Sequence, residues 1–583
     1  MMKKFLIAML GSIAGFWISL ILLGITFVIS IIIISSDSPN VSLSNKAILH
    51  LKLEGEIIER ETPIESIYDL QSYDTKQQSY NNIIKSILFA KDDKNITGIF
   101  IECCGSSIGI ASAQEIANAI KDFKSSGKWV YAYANNYSQQ DYYIASTADS
   151  LFINPIGSVD IKGLSATTLF YKNLMDKLGI EAQIVKVGSF KSAVEPFMLT
   201  QMSDASRLQQ KHYLKNIWDT ICLEIAANRS FTTDQINEWA DSLILTYQTE
   251  ALLAEKVVDQ LCYRHELDDK LKTKLGLTID DNLNYITPKE YCSSNNILNN
   301  SNISDHIAIL YATGDIVDSG DGGIVGEKMV PEILSLAKND KVKGLILRVN
   351  SGGGSAFASE QIWNALEVFK KTQKPLFVSM GDVAASGGYY ISCGANCIYA
   401  EPTTLTGSIG IFGIIPNVKG LLNNNVGITS DNVSTNINGE LFSIISPMST
   451  LQKNKMQKYI ENGYELFVKR CAEGRNMSID SIKTIAEGRV WDGISALKYG
   501  LIDKFGGLQI AIKDMKSLTK VENVQEYPIY KISLLNQLIT SENISNVNIV
   551  PEAYTEYHKH LKFIHKIKNL EPIQCRMEEI KIQ

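Results

Sequence analysis

The sequence predicts an α/β protein of two similar tandem domains carried behind one N-terminal transmembrane helix. Three observations predict it: an apolar run near the N-terminus, a strand–loop–helix pattern written twice, and a polar stretch between the two copies. At 583 residues the chain exceeds what a single core ordinarily fills, so two or more domains are expected. A composition of 45% hydrophobic and 20% charged residues with only 13 prolines is that of a globular protein, which excludes a disordered or fibrous chain.

The apolar run extends from Phe5 to Ile34 without a charge, preceded by Lys3 and Lys4. A spanning helix needs about 20 apolar residues, and this run suffices even when tilted. It ends in Ile34-Ser35-Ser36-Asp37, without the small-x-small exit of a cleaved signal peptide. An uncleaved anchor over residues 5–35 is expected. The two lysines keep residues 1–4 cytoplasmic and place the body on the far side of the membrane.

The repeat sets the domain organisation. Lys343–Asn350 has a counterpart in Thr97–Cys104; each is a short apolar run opened by glycine, as a buried strand is. A loop of small residues follows each, Ser351–Ser355 and Gly105–Gly109, and then a helical stretch, Glu360 to Phe369 and Gln114 to Phe123. Further on, Tyr389-Tyr390-Ile391 matches Tyr142-Tyr143-Ile144, Pro402 with Gly407-Ser408 matches Pro155 with Gly157-Ser158, and Val426-Gly427-Ile428 matches Leu178-Gly179-Ile180. Ala47–Gly55 and Ile307–Gly314 open the two copies alike. Such spacing describes β-α-β crossovers and hence largely parallel sheets covered by helices. The expected domains are 46–290 and 305–540, joined by an Asn/Ser-rich linker at 291–304 and followed by a helical tail at 541–583.

The copies differ where chemistry would be done. The second carries Ala384-Ala385-Ser386-Gly387-Gly388, a serine whose neighbours have almost no side chain, so a substrate backbone can approach. The first has Gln139-Gln140-Asp141 at that place and no nucleophile. Conversely, the first copy has Ser189-Phe190-Lys191-Ser192-Ala193, and Gly439 occupies the position matching Lys191. A serine hydroxyl needs a base to become nucleophilic. The seven histidines, at 50, 212, 265, 306, 558, 560 and 565, lie in no catalytic context, which leaves Lys191. A lysine serves only when neutral, and lowering its pKa of ~10.4 by roughly 3 units costs about 4 kcal/mol, which burial can supply. Phe190, Ala193, Val194 and Phe197 are apolar neighbours suited to this, and Ser408 or Ser192 offers a hydroxyl to hold the amine. Gly387 supplies one backbone N–H for an oxyanion, and Gly353 or Gly354 the other. The loop around them lacks the Lys-Ser/Thr ending of a phosphate-binding P-loop.

These residues resemble signal peptide peptidase A in its long, duplicated form, whose fold is shared by ClpP protease and crotonases. The resemblance covers nearly the whole chain and is carried by Asn350–Ser355, Met380–Tyr390, Thr404–Gly413 and Phe190–Phe197. It implies Ser386 as nucleophile, Lys191 as general base, Ser408 as the hydroxyl orienting the lysine, and oxyanion donors at Gly354 and Gly387. It also implies a bowl-shaped homotetramer on the outer face of the bacterial cytoplasmic membrane, with no need for ATP or metal. The family loop usually carries proline where Gly352 stands, a loss that loosens the loop.

The expected activity is endoproteolysis of apolar peptides such as released signal peptides, bound as an added strand along a sheet edge. Two rivals are a catalytically silent membrane scaffold and a crotonase-type acyl-CoA enzyme; retention of both Ser386 and Lys191 weighs against each. A net charge of −7 argues against nucleic acid as a partner. The nine cysteines are scattered, and Cys393 with Cys397 lacks the further ligands of a metal site, so no metal or other cofactor is expected.

Overall fold

The computed structural model describes residues 46–60, 77–295, 304–528 and 573–577, with single positions between 11 and 26. The chain separates into two units, one made of Met1–Ser44, Arg60–Gln77 and Ile529–Asn569, the other of Asn45–Glu59, Gln78–Pro528 and Leu570–Gln583. In the first unit positions 11, 15–17, 19, 22 and 26 are helical, and the Ser19 and Thr26 hydroxyls donate to carbonyls four residues back. The rest of the expected anchor lies outside the described residues, among which no helix is long and apolar enough to cross a membrane.

Both repeats lie in the second unit. The first repeat contributes β1 (Ala47–Ile58), β2 (Gln78–Ser79), β3 (Ile96–Ser107), β4 (Trp129–Ala134), β5 (Ser150–Ile153), β6 (Glu181–Lys186), β7 (Gln260–Leu261) and β8 (Tyr285–Ile286). The second contributes β9 (His306–Thr313), β10 (Ile316–Val317), β11 (Ile324–Val325), β12 (Val342–Ser351), β13 (Gly353–Ser355), β14 (Leu376–Ala385), β15 (Cys397–Ala400) and β16 (Leu405–Gly407). It continues with β17 (Phe412–Asn417), β18 (Val490–Asp492), β19 (Lys504–Phe505) and β20 (Val524–Tyr527).

The duplication is visible in strand order. One sheet runs β8-β1-β3-β4-β5-β7 and the other β20-β9-β12-β14-β15-β19, position for position the same and parallel throughout. Almost every residue of β12 is buried, as a central parallel strand covered on both faces must be. Each repeat also has a long helix of 26 residues, Asp204–Arg229 and Thr450–Arg475. Serine starts both, Ser203 and Ser449 accepting from the third residue of the helix, and both stop at a left-handed residue, Ser230 and Asn476.

A third sheet joins the repeats, in the order β11-β10-β13-β21-β17-β6, where β21 is Ile573–Arg576. Here β6 of the first repeat pairs antiparallel with β17 of the second, from Lys186↔Phe412 to Glu181↔Asn417. Two expectations change. Ile573–Arg576, within the stretch read as a helical tail, is a strand, because its backbone finds partners on both sides in β13 and β17. The helix Pro288–Ser294, started by a Thr287/Glu290 capping box, runs into the stretch read as linker.

The repeats are also tied by a buried charge cluster. Arg348 on β12 is fully buried and pairs with Glu59 at 3.0 Å and Glu115 at 2.8 Å, both from the first repeat. Tyr80 donates to Glu115 at 2.6 Å, and the Arg348 guanidinium also donates to Ser379 and the Met380 carbonyl. Burial pushes the Glu59 carboxyl up, and the neighbouring Arg348 opposes that. Removing the cation would leave two buried carboxylates without it. Arg348→Ala is expected to lower unfolding free energy by about 3–5 kcal/mol, measured by chemical denaturation.

Candidate active site

Ser386 follows the end of β14 and precedes the short helix Gly387–Ser392. Its φ of 56° and ψ of −114° are unusual for a residue with a side chain. The conformation is held from both sides: Ser386 N–H donates to the Gly407 carbonyl at 2.8 Å, and Tyr390 N–H donates to the Ser386 carbonyl at 2.8 Å. Gly388 lets the turn approach β12, since a Cβ there would stand 2.6 Å from the Ser351 carbonyl.

Lys191 arrives from the other repeat, on the segment following β6. Its Nζ donates to Ser386 Oγ at 2.7 Å, to Ser408 Oγ at 3.1 Å and to the Ser408 carbonyl at 3.2 Å. All three side chains are buried: Ser386 is 0% exposed, and Lys191 and Ser408 are each 1% exposed. Serine and lysine thus meet within one chain. Of the two hydroxyls that the sequence offered, Ser408 contacts the amine; Ser192 Oγ instead accepts from Gln209. Among the apolar neighbours, Val194 is fully buried, and Phe197 stacks on Tyr171.

Several residues that sequence reasoning missed hold this arrangement. The Gln209 side chain donates to the Phe190 carbonyl and to Ser192 Oγ, on either side of Lys191, and accepts from Val490 N–H of the second repeat. Phe190 N–H donates to the Glu487 carbonyl, and Ser408 N–H to the Arg489 carbonyl. The Arg489 guanidinium lies over the Phe190 and Trp491 rings, at 4.8 and 4.1 Å from their centroids. Gly488, at φ +80°, is where the lysine backbone crosses: a Cβ there would be 2.6 Å from Lys191 Cβ. The local Ala486-Glu487-Gly488-Arg489 sequence resembles an ordinary turn, so only the approach of a distant segment reveals this glycine's role.

The glycine loop lies beside the nucleophile, with Gly354 pairing β10 at Ile316 and β21 at Cys575. A Cβ on Gly354 would stand 2.0 Å from the Ile316 carbonyl, which restricts the position to glycine. Gly387 opens its helix, so its N–H has no carbonyl within the helix to bond. At Gly352, nothing lies within 4 Å of where a Cβ would be. The loop is held instead through Ser351, whose Oγ accepts from Gly353 N–H at 3.1 Å and donates to the Gly314 carbonyl at 2.6 Å. At the corresponding place in the first repeat, Gln139 and Gln140 line a cavity of about 260 Å³ with Tyr143, Asp160 and Lys162. The Gln139 side-chain Oε1 there accepts from the Lys162 and Gly163 backbone N–H groups.

A buried serine hydroxyl bonded to a lysine amine, beside glycine N–H groups, is chemistry suited to a serine-type hydrolase. The chain belongs to peptidase family S49, whose profile matches residues 122–278 and 368–522, one segment in each repeat. The Clp protease profile matches residues 312–404. Protease 4 of Salmonella typhi is 33% identical over 92% of this chain and 88% of its own length. Protease 4 of Haemophilus influenzae is 35% identical over 80% and 77%. The chloroplastic serine protease SPPA of Arabidopsis thaliana is 28% identical over 78% and 68%.

Gly488→Ala tests how closely the lysine must sit. The added methyl is expected to cost about 1–3 kcal/mol of stability. It should also lower hydrolysis of a short peptide ester by about 100-fold through displacement of Lys191, read by steady-state kinetics beside a circular dichroism spectrum.

Proposed function

We propose that the chain is a membrane-anchored endopeptidase in which Ser386 attacks the peptide carbonyl and Lys191 is the general base. The single observation supporting this most directly is the 2.7 Å contact between Lys191 Nζ and Ser386 Oγ, both buried. Ser386 Oγ adds to the carbonyl carbon as its proton passes to Lys191 Nζ. The C–N bond then breaks, and Lys191 returns the proton to the leaving amine. Water, deprotonated by the same lysine, hydrolyses the acyl-enzyme. Ser408 orients the amine, while Gly354 and Gly387 N–H groups receive the oxyanion. Burial is the environment that favours an uncharged amine. The substrates are extended, apolar peptides such as released signal peptides, met on the outer face of the bacterial cytoplasmic membrane, where the run from Phe5 to Ile34 anchors the chain.

Ser386→Ala and Lys191→Ala are each expected to lower kcat on a short apolar peptide by roughly 10⁴-fold, and Ser408→Ala by about 100-fold. Full activity in either of the first two would sink the pair. The rate profile of the wild type should show a pKa well below about 10, where the lysine loses its proton, with activity rising above it.

The partner in assembly is a second copy of this chain, four copies closing a ring. The segment after Gly179 crosses to the second repeat and pairs there as β6, whereas its counterpart after Gly427 belongs to no strand and is exposed. Val433 is 97% and Ile437 87% exposed on it. The first repeat of a neighbouring chain would take that segment as the second repeat takes β6. Light scattering is expected to give a tetramer for the wild type and a monomer for Val433→Asp/Ile437→Asp; a monomeric wild type would remove the ring.

A further inference from the structure

The first repeat holds a cavity of about 260 Å³ at the place corresponding to the nucleophile, and the serine–lysine site makes no use of it. Its walls are built as the second repeat builds the same place. There, Tyr390 on the helix after Ser386 packs against Phe467 of the 26-residue helix, with ring centroids 4.4 Å apart. The Tyr390 hydroxyl donates to Glu360 at 2.6 Å, and Arg470 pairs with that carboxylate. In the first repeat the tyrosine is Tyr143, whose hydroxyl donates to Glu224 at 2.7 Å, and Lys121 pairs with that carboxylate. The tie on the tyrosine hydroxyl is thus kept. Its packing partner is not: Ile221 stands at the position of Phe467, and Tyr143 and Ile221 both line the cavity. A phenyl ring exchanged for a smaller aliphatic group leaves a space.

That space has an apolar floor and a neutral polar mouth. Ala113, Tyr143 and Ile221 are buried, whereas Lys162 is exposed and Gln140 and Asp160 are half-buried. Asp160 and Lys162 pair with each other at 2.6 Å, so the mouth presents no net charge and suits a neutral ligand better than a phosphate or a carboxylate. Gln139 is committed to the backbone of Lys162 and Gly163. The Gln140 side-chain amide bonds no described residue. An amide offers one acceptor and one donating group, the complement of a peptide unit. Pockets for whole drug-sized ligands run from roughly 300 to 1,000 Å³, so this one is matched to a single large apolar side chain and the peptide unit beside it.

We propose that the cavity is a second peptide-binding site without chemistry, which takes an apolar side chain of an extended peptide onto Tyr143 and Ile221 and its peptide unit onto Gln140. The choice of peptide as ligand rests on the endopeptidase reading above. The site would hold a segment of the same class of chain that the serine cuts, and leave it whole.

Photolabelling of the purified full chain tests this, with Ser386→Ala as the host so that the probe survives. The probe is a hexapeptide alternating serine with a diazirine analogue of leucine, and labelled residues are read by tandem mass spectrometry. Labels are expected on Ala113, Tyr143 or Ile221. Ile221→Phe, which installs the side chain of the second repeat, should reduce them roughly tenfold, with folding checked by circular dichroism. Gln140→Ala, at the mouth and away from the core, should reduce them about fivefold. Absence of label in the cavity overturns the site, as does equal labelling in both variants. Stronger labelling there by a diazirine-bearing octanoic acid than by the peptide overturns the ligand class in favour of an acyl chain. The endopeptidase reading fails separately: undiminished peptide hydrolysis by Ser386→Ala would sink it whether or not the cavity is labelled.

Discussion

An amine can take a proton from a serine only where it does not already hold one, and in water a lysine nearly always does. In the proposed mechanism the pair therefore has to be kept from solvent, and the architecture around it meets that constraint. Lys191 and Ser386 lie at a junction between repeats, where neither repeat alone would exclude water. The junction is closed by backbone pairing of β6 with β17, by Gln209 gripping the lysine segment on both flanks, and by Gly488 leaving room for it. Arg348 ties the two repeats together through Glu59 and Glu115. Buried ion pairs add little net stability but strongly penalise misplacement of one partner, which suits a contact whose value is positional.

Duplication accounts for the division of labour. The two sheets have the same strand order, yet the second repeat keeps the serine elbow and the first keeps the lysine segment. In the first repeat the place corresponding to Ser386 is occupied by Gln139, whose side-chain amide is bonded to the backbone of residues 162 and 163.

Much of this was legible in the sequence, and the reasons are specific. Buried parallel strands read as apolar runs, so β3 and β12 could be aligned by eye, and small residues around Ser386 reflect a turn that admits nothing larger. Lys191 stood out because its counterpart was a glycine. Contacts between segments distant in the chain were not legible. Gly488 and Gln209 matter only because Lys191 crosses them, and neither has a local pattern that says so. Nor does Ile573–Arg576 announce a strand: its hydrogen bonds are supplied by β13 and β17, and periodicity cannot report a partner's edge. Gly352 looked like a weakness, whereas Ser351 bonds the loop from within.

The order of the two segments along the chain has a consequence for biosynthesis. The residue that would remove the proton is made first and the one that would attack comes much later. A growing chain that has emerged only as far as the first repeat holds a lysine segment with no serine to serve. Its β6 edge waits for β17, which has not yet been made. Reactivity then appears only when the second repeat has folded against the first, so the half-made protein is harmless to its surroundings.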